Sequence, residues 1–184
     1  MSNVSKWMSW ESGIDLVAAT SPDLQMPNVI VHLGRMVNTP VGSAPSGMIL
    51  WAPDPTALPL VMGFVSTDDA VGGYFGPNIF AGTPFEQAPV LNGTITIDIS
   101  ADKATSKCVV GGYTFEVEMS DFSDPYLIDR KPAAMPPFYQ QGVEIHAKKV
   151  SLKVNGEEIK IILPPFGISG GPASVVSPNG VYAR

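Results

Sequence analysis

The stretch KKVSLKVNGEEIKIIL, residues 148–163, limits what this chain can fold into more than any other. Apolar and polar residues alternate on both sides of Asn155-Gly156, which is the period of a half-buried strand. Asn-Gly is preferred in two-residue turns where both residues need a positive φ. The stretch therefore predicts a β-hairpin. The apolar residues expected on its inner face are Val150, Leu152, Val154, Ile159, Ile161 and Leu163.

Two stretches earlier in the sequence show the same alternation of apolar and polar residues. In LNGTITIDIS (91–100), three isoleucines alternate with polar residues. In TSKCVVGGYTFEVEM (105–119), Gly111-Gly112 separates two apolar runs and predicts a second tight hairpin. Further strands are expected in NVIVHLGRMVN, GMILWA, LPLVMGFVS and GVEIHAKK. The sequence thus predicts a chain built mainly from strands.

The eighteen glycines and eighteen prolines favour short elements joined by turns. We therefore expect an all-β fold of about eight or nine strands, in a two-sheet antiparallel β-sandwich (jelly-roll or Ig-like) or a flattened barrel. Long Gly/Pro-rich aromatic loops are expected within it. Residues 1–184 are predicted to form a single domain. Residues 1–26 are expected to form an N-terminal arm, with a short helix in SKWMSWES as one option.

The low content of charged residues limits the kinds of molecule that this protein is expected to bind. Charged residues make up 15% of the chain, against roughly 25% in an average soluble domain. A net charge of -6 with scattered basic residues argues against nucleic-acid binding and against anionic membranes. A chain with little polar material can bury part of its surface against copies of itself, so the expected partner is a second copy of this chain.

The cellular compartment is only weakly indicated. Cys108 is the single cysteine, so no internal disulfide forms. The start of the sequence lacks the apolar run of a secretory signal. A cytoplasmic protein, or one exported by a non-classical route, is the expectation.

The segment Gly167-Ile168-Ser169-Gly170-Gly171 fits the nucleophile pattern G-x-S-x-G. That pattern requires a helix after the serine, and the prolines that follow oppose one. Both histidines also precede Ser169, whereas the usual triad histidine follows the nucleophile. We therefore expect a glycine-rich turn here, not a catalytic serine.

Two groups of side chains are candidates for metal binding. Glu144 and His146 share a face of a predicted strand, and His32 would complete a two-histidine, one-carboxylate set. The competing interpretation is a solvated His146 and a core His32. No cofactor is predicted, although a calcium site is the second candidate. Its expected ligands are Asp121, Asp124 and Asp129, which turn formation also explains.

Aromatic residues concentrate in two stretches without clear structure, 67–89 and 120–142. They either cover an open end of the sheets or contact a partner. Trp7 and Trp10 have the spacing of one helical face. The aromatic residues predicted to make contacts are Trp7, Trp10, Tyr74, Phe75, Phe80, Phe85, Tyr126, Phe138 and Tyr139.

The functional hypothesis is a non-catalytic structural protein that acts by self-association or assembly. One alternative is a binding module for a carbohydrate or a small apolar ligand. Another is a membrane-acting, pore-forming toxin in which TITIDISADKATSK inserts as strands. An enzyme is the last option, with its site sought around His32, Glu144 and His146.

Overall fold

The computed structural model describes residues 6–132, 138–167 and 170–183. Within these ranges the chain forms eleven strands and one helix. The strands are β1 (Trp7–Ala18), β2 (Val29–Thr39), β3 (Gly42–Trp51), β4 (Val61–Ser66), β5 (Val90–Ile99), β6 (Lys103–Val110), β7 (Tyr113–Phe122), β8 (Tyr126–Arg130), β9 (Tyr139–Val154), β10 (Glu157–Ile159) and β11 (Ser174–Ala183). The helix is α1 (Asp69–Ile79), between β4 and β5.

All eleven strands belong to one continuous sheet. Strand β9 is 16 residues long and uses its two halves differently. Its first half pairs with β11 and β8, and its second half pairs with β7 and β10. Because β9 joins β7 to β11, the order β9-β11-β1-β2-β3-β4-β5-β6-β7 returns to β9 and the sheet closes on itself.

The all-β prediction is confirmed, but the division into two separate sheets is wrong. The physical reason is the length of β9, since a single long strand bridges what would otherwise be two sheet edges. The sheet is also mixed, because β4 and β5 run parallel while the other pairs are antiparallel.

The larger hydrophobic core lies on the inner side of this closed sheet. The nine strands that close the sheet all contribute side chains to this core. The inner side is the one place where side chains from all nine strands can meet. The alternation seen in the sequence places these residues inward and their polar neighbours outward. Side chains of this core include Leu16, Val31, Ile49, Val65, Ile95, Cys108, Phe115, Leu152 and Val176.

Helix α1 forms the connection between the parallel strands β4 and β5. The Asp68 side chain accepts hydrogen bonds from the amides of Ala70 and Val71, and so caps the helix N-terminus. Gly76 lets the helix approach the sheet, since a Cβ there would lie 2.1 Å from the Phe64 ring. A parallel connection needs a crossover. Part of the stretch 67–89, where a long aromatic loop is predicted, is therefore helical.

The N-terminal arm and its short helix are also wrong, because residues 7–18 form β1. This strand pairs with β2 on one edge and with β11 on the other. In a strand, residues three apart point to opposite faces, so Trp7 and Trp10 do not share one. Two edges of hydrogen bonds outweigh the helical spacing of the two tryptophans.

The second uncertain stretch, 120–142, contains the end of β7, all of β8 and the start of β9. Both predicted hairpin turns are confirmed. Asn155 and Gly156 have φ of 52° and 82°, and Gly111 and Gly112 have φ of 58° and 79°. Strand β10 ends at Ile159, sooner than the alternation predicts. No helix in the described part of the chain is long and apolar enough to cross a bilayer.

Candidate functional site

A cavity of about 220 Å³ lies between the sheet and helix α1. Its lining comes from β1, β2, β9 and β11, and from α1 and the turn that follows it. A second hydrophobic cluster surrounds it, separate from the inner core. Two strand irregularities border it, one in β2 between Gly34 and Val37 and one in β11 between Val176 and Asn179. Such bulges redirect side chains and are frequent beside active sites.

Asp15 and His32 face each other in the cavity wall. They are directly opposite residues of the antiparallel pair β1–β2. Asp15 Oδ1 and His32 Nδ1 are 3.5 Å apart, and both atoms are buried. Among the described residues neither atom has a partner with hydrogen-bond geometry. A buried polar pair without other partners is costly, so it marks a candidate site.

The second ring nitrogen of His32 is differently placed. Nε2 is absent from the buried unpartnered atoms of the described chain, and no described residue bonds to it. His32 lines the cavity, and its side chain is 20% exposed. The ring stacks against Phe75 at 6.0 Å and meets the edge of Phe80 at 5.9 Å. Helix α1 and its C-terminal turn thus hold the imidazole in position.

A second polar group lies at the β9 side of the cavity. Glu144 is 3% exposed, and its carboxylate accepts a hydrogen bond from the Tyr126 hydroxyl at 3.1 Å. Arg130 Nη1 lies 3.5 Å from the same carboxylate and donates to Gln140 Oε1 at 2.8 Å. Tyr126 and Arg130 come from β8, which pairs with this half of β9. Strand β8 therefore neutralises a buried carboxylate.

Burial is the main reason that the pKa of Tyr126 is raised to about 12. The negative charge of Glu144 and the hydrogen bond to it act in the same direction, and the charge of Arg130 acts against them. The hydroxyl therefore remains a hydrogen-bond donor to Glu144 throughout the neutral range.

Trp10 forms an aromatic wall that is fixed by its surroundings. It is paired with Gly180 of β11, and a Cβ at Gly180 would come 2.0 Å from the indole ring. The indole Nε1 donates to Ser177 Oγ at 3.0 Å, and Ser177 Oγ donates to the carbonyl oxygen of Val143 at 2.9 Å. Only a glycine at 180 leaves room for the indole in this position.

Tyr182 completes the wall beside Trp10. Its ring lies 4.7 Å from that of Trp10 and 4.5 Å from that of Phe138. Burial raises the pKa of its hydroxyl, and the charges of Asp15 and Glu144 raise it further. Tyr182 lines the cavity, and its hydroxyl stays protonated to more alkaline pH than that of an exposed tyrosine.

The structure separates the predicted aromatic contact residues into three groups. Those that line the cavity are Trp10, Phe75, Phe80 and Phe138. Those that support its walls are Tyr126 and Phe85, through Glu144 and Phe80 respectively. The remaining three are Trp7 and Tyr139, which are 40% and 49% exposed, and Tyr74, whose hydroxyl accepts a hydrogen bond from the Trp7 amide.

The predicted calcium ligands are not brought together. Asp121 lies 3.6 Å from Lys149, and Asp129 accepts a hydrogen bond from Gln141. Asp124 uses its backbone carbonyl to accept a bond from Ser123. Within the described ranges, no three acidic, histidine or cysteine side chains are placed to hold a metal ion.

The structure also does not bring together the three residues of the other predicted metal set, His32, Glu144 and His146. His32 and Glu144 share the cavity, whereas His146 lies in a separate depression beside Leu163. Ser169 lies outside the described residues. Its neighbour Gly170 has a φ of 79° and donates to the carbonyl of Gly167. That geometry is typical of a turn.

Several site residues were missed by sequence analysis. The signal for Asp15 was present, since it is a lone carboxylate in the apolar run GIDLVAA and such a residue needs a partner. The others have no local signal, because they meet only through long-range pairing. They are Arg130, Gln140, Ser177 and Tyr182.

The lining of the cavity defines its chemical capacity. The imidazole and carboxylate of His32 and Asp15 supply a base and a group to orient it. Among the described lining residues there is no lysine or cysteine to attack a substrate. Three serine or threonine hydroxyls also lie in this described lining. Those of Ser177 and Thr83 donate to backbone carbonyls, and that of Ser9 accepts a hydrogen bond from the Asn38 side chain. The arrangement favours proton transfer over covalent catalysis.

No family model matches the chain, and no curated protein matches it. A solved structure that is similar is acetoacetate decarboxylase from Legionella pneumophila subsp. pneumophila strain Philadelphia 1. The two chains are 11% identical, the match covers 96% of this chain and 84% of that one, and the TM-score is 0.37.

The prediction of a non-catalytic assembly protein is corrected by the cavity. Its described lining brings a histidine and two carboxylates into one largely apolar site, an arrangement suited to chemistry. The alternative of a binding module for a carbohydrate or a small apolar ligand stays a prediction. The pore-forming interpretation is wrong because TITIDISADKATSK forms β5 and β6, whose Ile95 and Ile97 are buried in the inner core.

Proposed function

We propose that this protein is an enzyme that transfers a proton on a small, largely apolar carbonyl compound held in the cavity. The observation that carries the proposal is the pair formed by Asp15 Oδ1 and His32 Nδ1. These buried atoms lie 3.5 Å apart and have no other partner among the described residues. A purely structural pair would normally have its hydrogen bonds satisfied.

In this mechanism the Asp15 carboxylate faces Nδ1 of His32 and favours the tautomer that carries a proton there. Nε2 is then free to accept a proton from the carbon next to the substrate carbonyl. The electron pair of that C–H bond moves to the carbonyl oxygen and forms an enolate. Asp15 stabilises the imidazolium that results.

The Tyr182 hydroxyl supports the second half of the reaction. A tyrosine hydroxyl is protonated at neutral pH, and the raised pKa of Tyr182 extends this to more alkaline pH, so the group can donate a hydrogen bond to the enolate oxygen. Return of the proton from His32 to carbon regenerates the base and leaves the enzyme unchanged. The net result is isotope exchange, racemisation or isomerisation, with no additional reactant.

The test measures deuterium uptake from D₂O into acetophenone, phenylacetone and cyclohexanone by proton NMR. We expect the wild-type protein to accelerate exchange at carbon next to the carbonyl. His32→Gln should reduce the enzymatic rate by about 10²-fold or more, because the base is lost. Asp15→Asn should reduce it by about tenfold or more, because the imidazole loses its orienting charge.

His146→Gln is the matched control, since His146 is the second histidine of the chain and lies outside the cavity. Its exchange rate should equal that of the wild-type protein. The proposal fails if none of the three ketones exchanges faster than in buffer. It also fails if His32→Gln, folded by circular dichroism, exchanges as fast as the wild-type protein.

A further inference from the structure

The two carboxylates of the cavity wall, Glu144 and Asp15, differ in the groups that lie beside them. Glu144 has a cationic partner, since Arg130 Nη1 lies 3.5 Å from its carboxylate. Asp15 has only His32, which carries no charge when it acts as a base. Among the described lining residues there is no lysine or arginine. Asp15 is therefore the carboxylate of the cavity wall that has no lysine or arginine partner among the described residues.

The lack of a described lysine or arginine beside Asp15 has opposite effects on the binding of anions and of cations. An anion placed in the cavity would lose its hydration and face Asp15 without a cation to offset either cost. A cation would supply the missing partner to Asp15. A charge-assisted hydrogen bond of this kind is stronger than one between neutral groups.

The remaining walls suit the same ligand. Trp10, Phe75, Phe80 and Tyr182 place aromatic rings around the cavity. Such rings attract an ammonium group that lies over their faces, and they also pack against an apolar body. A cavity of about 220 Å³ is larger than the roughly 150 Å³ that is known to hold benzene. One ring with a short side chain is therefore the expected size.

From these observations we infer that the cavity selects an apolar amine, with its ammonium group at Asp15, and rejects carboxylates of the same shape. The inference rests on the proposed function in that it specifies the substrate class of the same site. The substrate would be a small carbonyl compound that also carries an amine.

The experiment compares benzylamine, benzyl alcohol and benzoate, which share one ring and differ in charge. Their dissociation constants for the wild-type protein are measured by isothermal titration calorimetry at pH 7. We expect benzylamine to bind at least about tenfold more tightly than either of the others, as a charge-assisted hydrogen bond provides. A smaller preference, or no binding of benzylamine, overturns the inference.

Asp15→Asn removes the charge and keeps the shape of the side chain. We expect this variant to lose the preference for benzylamine while its affinity for benzyl alcohol stays within about twofold, which also shows that the cavity is intact. A variant that binds benzyl alcohol normally and still prefers benzylamine tenfold overturns the inference. Glu11→Gln is the control, since Glu11 is an exposed carboxylate of the same strand and does not line the cavity.

The two proposals fail separately. Tight binding of benzylamine without deuterium exchange into ketones would contradict the proton-transfer function and leave the ligand class standing. Exchange that depends on His32, combined with equal binding of benzoate and benzylamine, would contradict the ligand class alone.

Discussion

At the scale of single residues, the site depends on which side chains stand opposite one another in neighbouring strands. Asp15 faces His32 because the β1–β2 register pairs them. A one-residue slip in that register would turn each side chain to the other face of the sheet. The inner core opposes such a slip, since Ile14 and Leu33 are buried in it and are themselves a pair. Packing on one face thus fixes the chemistry on the other.

Gly180→Ala tests the fixed position of Trp10. The new Cβ would come about 2.0 Å from the indole, so the ring must move and its bond to Ser177 is lost. We expect the free energy of unfolding to fall by about 1–3 kcal/mol, as for other overpacked sites. Urea denaturation measures it.

The control is a double-mutant cycle with Trp10→Ala. In that background the alanine at 180 meets no indole ring, so the cost of Gly180→Ala should fall below about 1 kcal/mol. An equal cost in both backgrounds would show that the clash with Trp10 is not its cause.

At the scale of secondary-structure elements, helix α1 forms one wall of the cavity. Two of its glycines differ in how closely they are packed against the sheet. A Cβ at Gly76 would lie 2.1 Å from the Phe64 ring, whereas a Cβ at Gly73 would meet nothing within 4 Å. Both residues are inside the same helix, three positions apart. They therefore separate the effect of packing from that of helix propensity.

Gly76→Ala should lower the free energy of unfolding by about 1–3 kcal/mol, because the helix must move away from the sheet. Gly73→Ala should raise it by up to about 1 kcal/mol, since alanine is a better helix former than glycine. Thermal and urea denaturation of both variants measure the difference. A stabilising Gly76→Ala would show that α1 is not held this closely against Phe64.

The elements that sequence analysis predicted well are those whose pairing is local. Asn155-Gly156 and Gly111-Gly112 each join adjacent strands, so alternation and turn residues were sufficient. Helix α1 was missed because its run AVGGYFGPNI is poor in helix formers. Its helical state follows from the Asp68 cap and from the parallel connection of β4 to β5, and the second of these is a property of the sheet.

The candidate site was predicted only in part for the same reason. His32 and Glu144 were named as residues around which chemistry should be sought, and both line the cavity. Their actual partners, Asp15 and Arg130, could not be identified from spacing, because β1–β2 and β8–β9 pairing bring them together. The predicted partner, a second copy of this chain, stays a prediction, because composition and a single chain do not test it.

At the scale of the whole molecule, buried titratable groups make stability depend on alkaline pH. Burial raises the pKa of the Cys108 thiol from an ordinary 9.0 to about 12. Above pH 9 the unfolded chain releases this proton while the folded chain keeps it. The stabilisation is complete below pH 9 and is lost as the pH rises toward 12.

We therefore expect the free energy of unfolding to fall between pH 9 and pH 11, with a contribution from Cys108 approaching about 1.4 kcal/mol per pH unit. Cys108→Ala should have a shallower slope over this interval, even though its stability at pH 7 is lower because of the lost packing. Urea denaturation at a series of pH values measures both slopes. Parallel slopes in the two proteins would contradict the assignment.

The closed sheet also constrains the order in which the protein can be made. Strands β1 and β11 are neighbours, with Trp7 opposite Ala183, and each supplies part of the cavity wall. The ribosome synthesises β1 before β11. Asp15 of β1 and Tyr182 of β11 can therefore come together only after β11 has been synthesised. Contacts between such distant segments also slow folding. The cavity wall is therefore incomplete until β11 has been synthesised and has paired with β1.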